Sequence, residues 1–176
     1  GINWFYALET SVRLIAWALA FQFFRDAALF PRQVGGDFLK SLYQQTDFVA
    51  NRLQITRSAT PNNHLIAEST ALVIIGTVFP EFRDAPVWKQ IGLELLEAHA
   101  TTQTHLDGVN KEQAIGYHRF VAELLLWVVT LSRRGLLRRA PVLEETLERM
   151  LDYVCYSMTP SGSVPLWGDS DYGRAL

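Results

Sequence analysis

Two stretches of this 176-residue chain, "LIAWALAFQFF" (residues 14–24) and "VAELLLWVVTL" (residues 121–131), are apolar around most of a helix turn. A helix with so little polar surface has to be covered on most sides. Arg13 precedes the first stretch and Arg25-Asp26 follow it, which leaves too short a run to cross a bilayer. The expectation is therefore a buried core helix and no membrane insertion. Stacked antiparallel helical hairpins can cover such helices, and a small four-helix bundle does so less well.

Apolar residues at helical spacing recur along the chain and predict six helices. The first covers 3–29 (Phe5, Leu8, Val12, Ile15, Leu19, Phe23) and the second 37–55 (Phe38, Leu42, Val49, Leu53). The third begins near Thr60 and runs through "ALVIIGTVF" to "FPEF". The fourth covers about 86–103, opened by Asp84 as cap and Pro86 in the first turn. The fifth spans about 111–133 and stops at "RRG", and the sixth spans about 141–157. The tail, "TPSGSVPLWGDSDYGRAL", reads as an ordered loop. No strand is predicted, so the fold class is all-α, in one domain over 1–176.

Hydrophobic residues make up 49% of the chain, enough for a sizeable core. With 16 basic and 18 acidic residues the net charge is -2, which gives no basis for nucleic-acid binding. The single cysteine, Cys155 in "LDYVCYS", excludes an internal disulfide and is expected to be a small buried hydrophobe. There is no glycine-rich phosphate loop and no paired Cys or His set at zinc spacing, so neither cofactor nor metal is expected. The chain starts mid-helix in character and stops abruptly, as a piece of a longer protein would.

Three polar clusters interrupt this apolar pattern. In "TPNNHLIAEST" (60–70) a helix start is crowded with polar groups. Thr60 or Asn62 can accept a first-turn amide, and Asn63 can do the same or face water. His64 and Glu68 are four residues apart and share a helix face, where a carboxylate can orient an imidazole. In "LDGVNKEQAIGYH" (106–118), Asn110 can cap the fifth helix with Gln113 at the capping-box position. Gly116 would then sit inside that helix, at a cost of about 1 kcal/mol relative to alanine unless something approaches closely. Tyr117 beside His118 is either a packed ring with a wet hydroxyl or a general acid or base. In "PLWGDSDYGR" (165–174), Asp169 or Asp171 can pair with Arg174 to hold the loop, and Trp167 offers either a sugar-stacking face or an anchor.

Taken together, "NWFYALETSVR" (3–13), "NNHLIAEST" (62–70), "DGVNKEQAIGYH" (107–118) and "GDSDYGR" (168–174) resemble the heparinase II/III family of polysaccharide lyases and related alginate lyases, in residues, order and separation. The resemblance implies part of an N-terminal incomplete (α/α) toroid, with a C-terminal β-sandwich domain that this chain does not contain. It implies β-elimination on a uronic-acid-containing polysaccharide, and a periplasmic or secreted location. Asn63 matches the carboxylate-binding residue and Tyr117 the catalytic tyrosine, acid toward O4 and also a candidate base. His64 becomes a neighbouring catalytic residue, a second carboxylate contact or a base for some epimers. Glu68, Gln113, His118, Trp167, Asp169 and Arg174 become substrate-side or supporting residues. A further family histidine comes from the β-sandwich, so the isolated chain is expected to be inactive. Arg13, Arg52, Arg57 and Arg119 are candidates to line a cleft. Two other readings stay open: an (α/α) glycoside hydrolase, which needs two carboxylates across the scissile bond, and a non-catalytic carbohydrate-binding scaffold.

Overall fold

The computed structural model describes residues 5–26, 32–54 and 60–169. Among the described residues six helices occur: α1 (Ala7–Phe24), α2 (Arg32–Ala50), α3 (Asn63–Val78), α4 (Ala85–Thr102), α5 (Ile115–Arg133) and α6 (Pro141–Ser157). No strand occurs among the described residues, and one isolated bridge joins Thr104 to Asn110. The all-α expectation holds, and the fourth and sixth helices lie within a residue of where periodicity puts them.

The helices form two layers of hairpins. Neighbours in sequence pack together (α1 on α2, α2 on α3, α3 on α4, α5 on α6), and so do alternate helices. α3 packs on both α1 and α5, while α4 packs on α6. Odd-numbered helices thus line one layer and even-numbered helices the other. α3 is the centre: every residue from Leu65 to Gly76 is buried. Two glycines allow α4 to lie close along it. A Cβ on Gly92 would sit 2.6 Å from the Ser69 carbonyl oxygen, and one on Gly76 would sit 2.5 Å from that of Ala85.

Several expected boundaries move, each for a local reason. α3 starts at Asn63, not Thr60, because Asn62 is its cap and accepts the His64 N–H. Asp84 stands at the α4 cap position but makes no side-chain cap bond. Its carboxylate instead accepts from the Tyr43 hydroxyl and the Arg83 guanidinium, which hold its pKa below the usual carboxylate value. That cluster ties α2 to the α3–α4 turn, beside stacked Phe79 and Phe82. α5 starts at Ile115, so Gly116 lies in its first turn and not in a helix interior.

α1 buries Leu14, Ile15 and Ala18 but leaves Phe23 and Phe24 exposed. Contrary to expectation, α1 is long and apolar enough to cross a membrane by length and composition and is only 33% buried inside this chain; α5 passes the same test and is 56% buried. Cys155 is exposed, contrary to expectation. The buried residues of α6 end at Met150, and Tyr153 in the turn beyond packs on His118 and Trp167.

Gly92→Ala in the full-length protein should cost about 1–2 kcal/mol, because overpacking against the α3 backbone outweighs alanine's better helix propensity. Urea unfolding at constant m-value measures it; an unchanged midpoint would show that α4 is free to shift outward.

Candidate active site

The polar cluster at the start of α3 is assembled by three segments far apart in sequence. Asn62 caps the helix, and its Oδ1 also accepts from Gln54 Nε2 at 2.7 Å. Gln54 Oε1 accepts the N–H groups of Asn62 (3.0 Å) and Leu65 (3.2 Å). One carboxamide thus accepts two amides at the helix start, the Leu65 N–H being shared with the Asn62 carbonyl at 3.1 Å. The Gln54 N–H in turn donates to Glu68 Oε2 at 2.6 Å. Glu68 is fully buried, and its carboxylate serves this inner network. His64 is half-buried at the helix surface.

Asn63, the first residue of α3, is held from across the fold. Its backbone N–H donates to Glu112 Oε1 at 2.8 Å and its Nδ2 to Glu112 Oε2 at 2.7 Å. Glu112 lies three residues before α5 and five before Tyr117, so this pair fastens the start of α3 to the start of α5. Tyr117 sits half-buried in the first turn of α5.

The loop carrying Glu112 is closed on itself. The His105 N–H donates to the Val109 oxygen at 2.8 Å and the Lys111 N–H to the Gln103 oxygen at 2.9 Å. Its tip rests on α6, where a Cβ on Gly108 (φ +90°) would come within 2.1 Å of the Arg149 oxygen. Asn110 does not cap α5, as its spacing had predicted. Its Oδ1 accepts the Glu112 N–H at 2.9 Å, which aims the Glu112 side chain back toward α3. Gln113 is exposed and adopts φ 55°, a left-handed conformation that breaks the continuity a capping box requires.

His118, expected on the substrate side, is buried with both ring nitrogens engaged. The Asn110 N–H points at Nδ1 (3.3 Å) and Nε2 lies 3.0 Å from the Met150 oxygen. Nδ1 must accept and Nε2 must donate, which specifies the neutral ring. His118 therefore braces the loop against α6 and does not reach solvent. Trp167 is an anchor: its carbonyl accepts the Ile115 N–H at 3.3 Å, and its ring meets Tyr153 edge-on. Tyr153 in turn leans on the His118 ring at 5.0 Å. Asp169 is exposed, and Arg174, Asp171 and Arg57 lie outside the described residues. Arg13 donates to Gln45 at 2.6 Å, Arg52 lies over the Phe48 ring, and Arg119 is exposed. A separate cavity of about 580 Å³, lined by Lys89, Gln90, Glu94 and Arg138, lies between α4 and the α5–α6 turn.

Glu112 and Gln54 are the site residues that sequence reasoning missed in these roles. The first partner is 49 residues from its mate, and nothing in local spacing signals the pairing.

Burial lowers the His118 pKa from its ordinary 6.5, with the Met150 hydrogen bond opposing. The folded chain therefore binds this proton less readily than the unfolded chain. The stabilisation is complete above about pH 6.5 and fades as pH falls toward the lowered folded value. Full-length His118→Gln should accordingly lose melting temperature relative to wild type at pH 8, with the gap narrowing by pH 5. A gap that widened on acidification would contradict the neutral ring.

The description "Heparinase II/III N-terminus" matches residues 2–175. The heparin-sulfate lyase of Pedobacter heparinus is 28% identical over 165 residues, covering 93% of this chain and 24% of that protein. The heparin-sulfate lyase of Bacteroides thetaiotaomicron is 27% identical over 172 residues, again covering 93% and 24%. Among solved structures, the heparan sulfate lyase HepC from Pedobacter heparinus superposes with a TM-score of 0.70 at 27% identity, over 93% of this chain and 25% of that one. A heparinase III crystal structure superposes with a TM-score of 0.77 at 24% identity, covering 89% and 23%, and so speaks for the fold. The chain spans about a quarter of the length of the relatives it matches. With the family description matched along nearly its whole length, this chain belongs to the heparinase II/III family.

Proposed function

We propose that the protein containing this chain is a polysaccharide lyase that cleaves a uronic-acid-containing polymer by β-elimination. The chain supplies one wall of the site, on the rim of an incomplete (α/α) toroid. A β-sandwich domain elsewhere in the same protein supplies the other, including a histidine. The observation that carries this reading is the Asn63 carboxamide, held by Glu112 where α3 and the first turn of α5 begin.

The chemistry makes definite demands. The C5 proton beside a carboxylate is weakly acidic, and its removal builds negative charge on that carboxylate. Asn63 answers with an amide donor at a helix N-terminus, where backbone N–H groups and the helix dipole favour an anion. Charge that grows in the transition state gains most from a donor already in place. Tyr117 donates a proton to the departing O4 oxygen and is a candidate to take the C5 proton. His64, half-buried beside Asn63, is a second carboxylate contact or a base for the other epimer. Glu68 supports the helix start from within. The chain alone lacks the second wall and is expected to be inactive.

The hydrolase alternative needs a pair of carboxylates facing one bond. Glu68 is fully buried and Glu112 is committed to Asn63, which favours elimination.

Elimination leaves an unsaturated uronate that absorbs in the ultraviolet, and hydrolysis does not. Full-length protein incubated with heparan sulfate, heparin and alginate should release absorbing product from at least one of them. Asn63→Ala should lower turnover about 10²–10³-fold and Tyr117→Phe about 10²–10⁴-fold, with the melting temperature of Tyr117→Phe near wild type and that of Asn63→Ala lowered by the loss of its side-chain bond to Glu112. Reducing ends without absorbance would point to hydrolysis. Full activity in both variants would leave a binding scaffold.

A further inference from the structure

We propose that Glu112 is the positioning residue for the Asn63 carboxamide, and so sets how that amide meets a substrate carboxylate. This rests on the reading of Asn63 as the carboxylate-binding residue. An asparagine carboxamide carries an acceptor oxygen and a donor nitrogen, and only the nitrogen suits an anionic ligand. Left alone, the group can turn either end to the site. Glu112 removes that freedom. Its two oxygens take the Asn63 backbone N–H at 2.8 Å and Nδ2 at 2.7 Å, each oxygen receiving one donor. A flipped carboxamide would set its own oxygen against a carboxylate oxygen. The second Nδ2 proton remains for a ligand, on a group already turned the right way.

Glu112 is itself held. Its N–H is bonded to Asn110 Oδ1 at 2.9 Å, and Asn110 is buried with its own N–H on His118. Orientation is therefore passed from α6 through His118, Asn110 and Glu112 to Asn63. The arrangement also has an electrostatic cost, because a resident carboxylate lies beside the place where another must bind. Glutamine in this place has one acceptor oxygen where glutamate has two, so it cannot give each Asn63 N–H its own acceptor, and its NH2 group would face an Asn63 donor.

The test is a double-mutant cycle in the full-length protein, on whichever of heparan sulfate, heparin or alginate the wild type cleaves. Glu112→Gln is expected to lower kcat at least about tenfold with KM within about threefold, and to cost nothing further in an Asn63→Ala background. An unchanged kcat, or an equal loss with and without Asn63, overturns the proposal. If Glu112→Gln does not fold, Glu112→Asp is read in the same cycle by the same criteria. A second readout needs no activity: the Asn63 side-chain amide protons in nuclear magnetic resonance. One of the two should be shifted downfield and protected from exchange in the wild type, and lose both properties in Glu112→Gln. If no polymer yields unsaturated product, the lyase reading fails by itself, and the amide signal alone decides the role of Glu112: lost in the variant, the role stands; retained, it falls.

Discussion

The Glu112 carboxylate accepts two N–H groups from one residue, Asn63, and most of the site depends on that pair. It joins the loop before α5 to the start of α3, segments that the chain separates by 49 positions. Hydrogen bonds to a charged acceptor are the stronger kind, and here one donor is the Asn63 backbone N–H and the other its side-chain amide. Behind Glu112 lies a chain of buried hydrogen bonds with specified donors and acceptors, although the Asn110 Nδ2 is buried without a partner. The Met150 carbonyl specifies the His118 tautomer, His118 receives the Asn110 N–H, and Asn110 receives the Glu112 N–H. Networks of this kind rigidify because any member turned the wrong way leaves a buried polar group unpaired.

That rigidity matters because α3 has little freedom of its own. From Leu65 to Gly76 it is buried, packed against α1, α2, α4 and α5. Only its ends can carry polar work. The N-terminal end is where backbone N–H groups lack partners, and the chain meets that need with side chains from outside the helix, Gln54 and Glu112. The apolar body of α3 and the polar crowding at its start are thus one design: a helix gripped on all sides, presenting its first turn at the rim of the layer.

Much of this was legible in the sequence. Helical periodicity located the six helices found among the described residues, because amphipathic spacing in α6 and the broad buried face of α5 both follow from packing. The proline-led starts of α4 and α6 came within a residue. What failed was cap chemistry. Thr60, Asp84 and Asn110 all sit where a cap is expected, yet the caps are Asn62 for α3, none from a side chain for α4, and the Trp167 carbonyl for α5. A capping preference is worth about 1 kcal/mol, so tertiary partners such as Tyr43 for Asp84 can divert it. The same holds for His118. Its place beside Tyr117 suggested a substrate contact, but adjacent residues on a helix point about 100° apart, so one faces the core while its neighbour lies at the margin. Cys155 was misjudged because small size and apolar neighbours do not by themselves put a residue on the buried side of α6, whose buried residues end at Met150.

The charge balance looks awkward for a protein that would hold an acidic polymer. The net charge is -2, Arg13 and Arg52 are engaged within the chain, and Glu112 stands beside the proposed carboxylate position. Long-range attraction is set by net charge and its distribution, whereas holding one carboxylate is a matter of donors within a few ångströms. The start of α3 offers such donors: the Asn63 amide and the positive end of the helix dipole. Glu112 takes up part of that local field, so the wall described here is tuned to orient one carboxylate and not to attract many. A polymer of modest charge density meets those terms at least as well as a densely sulfated one.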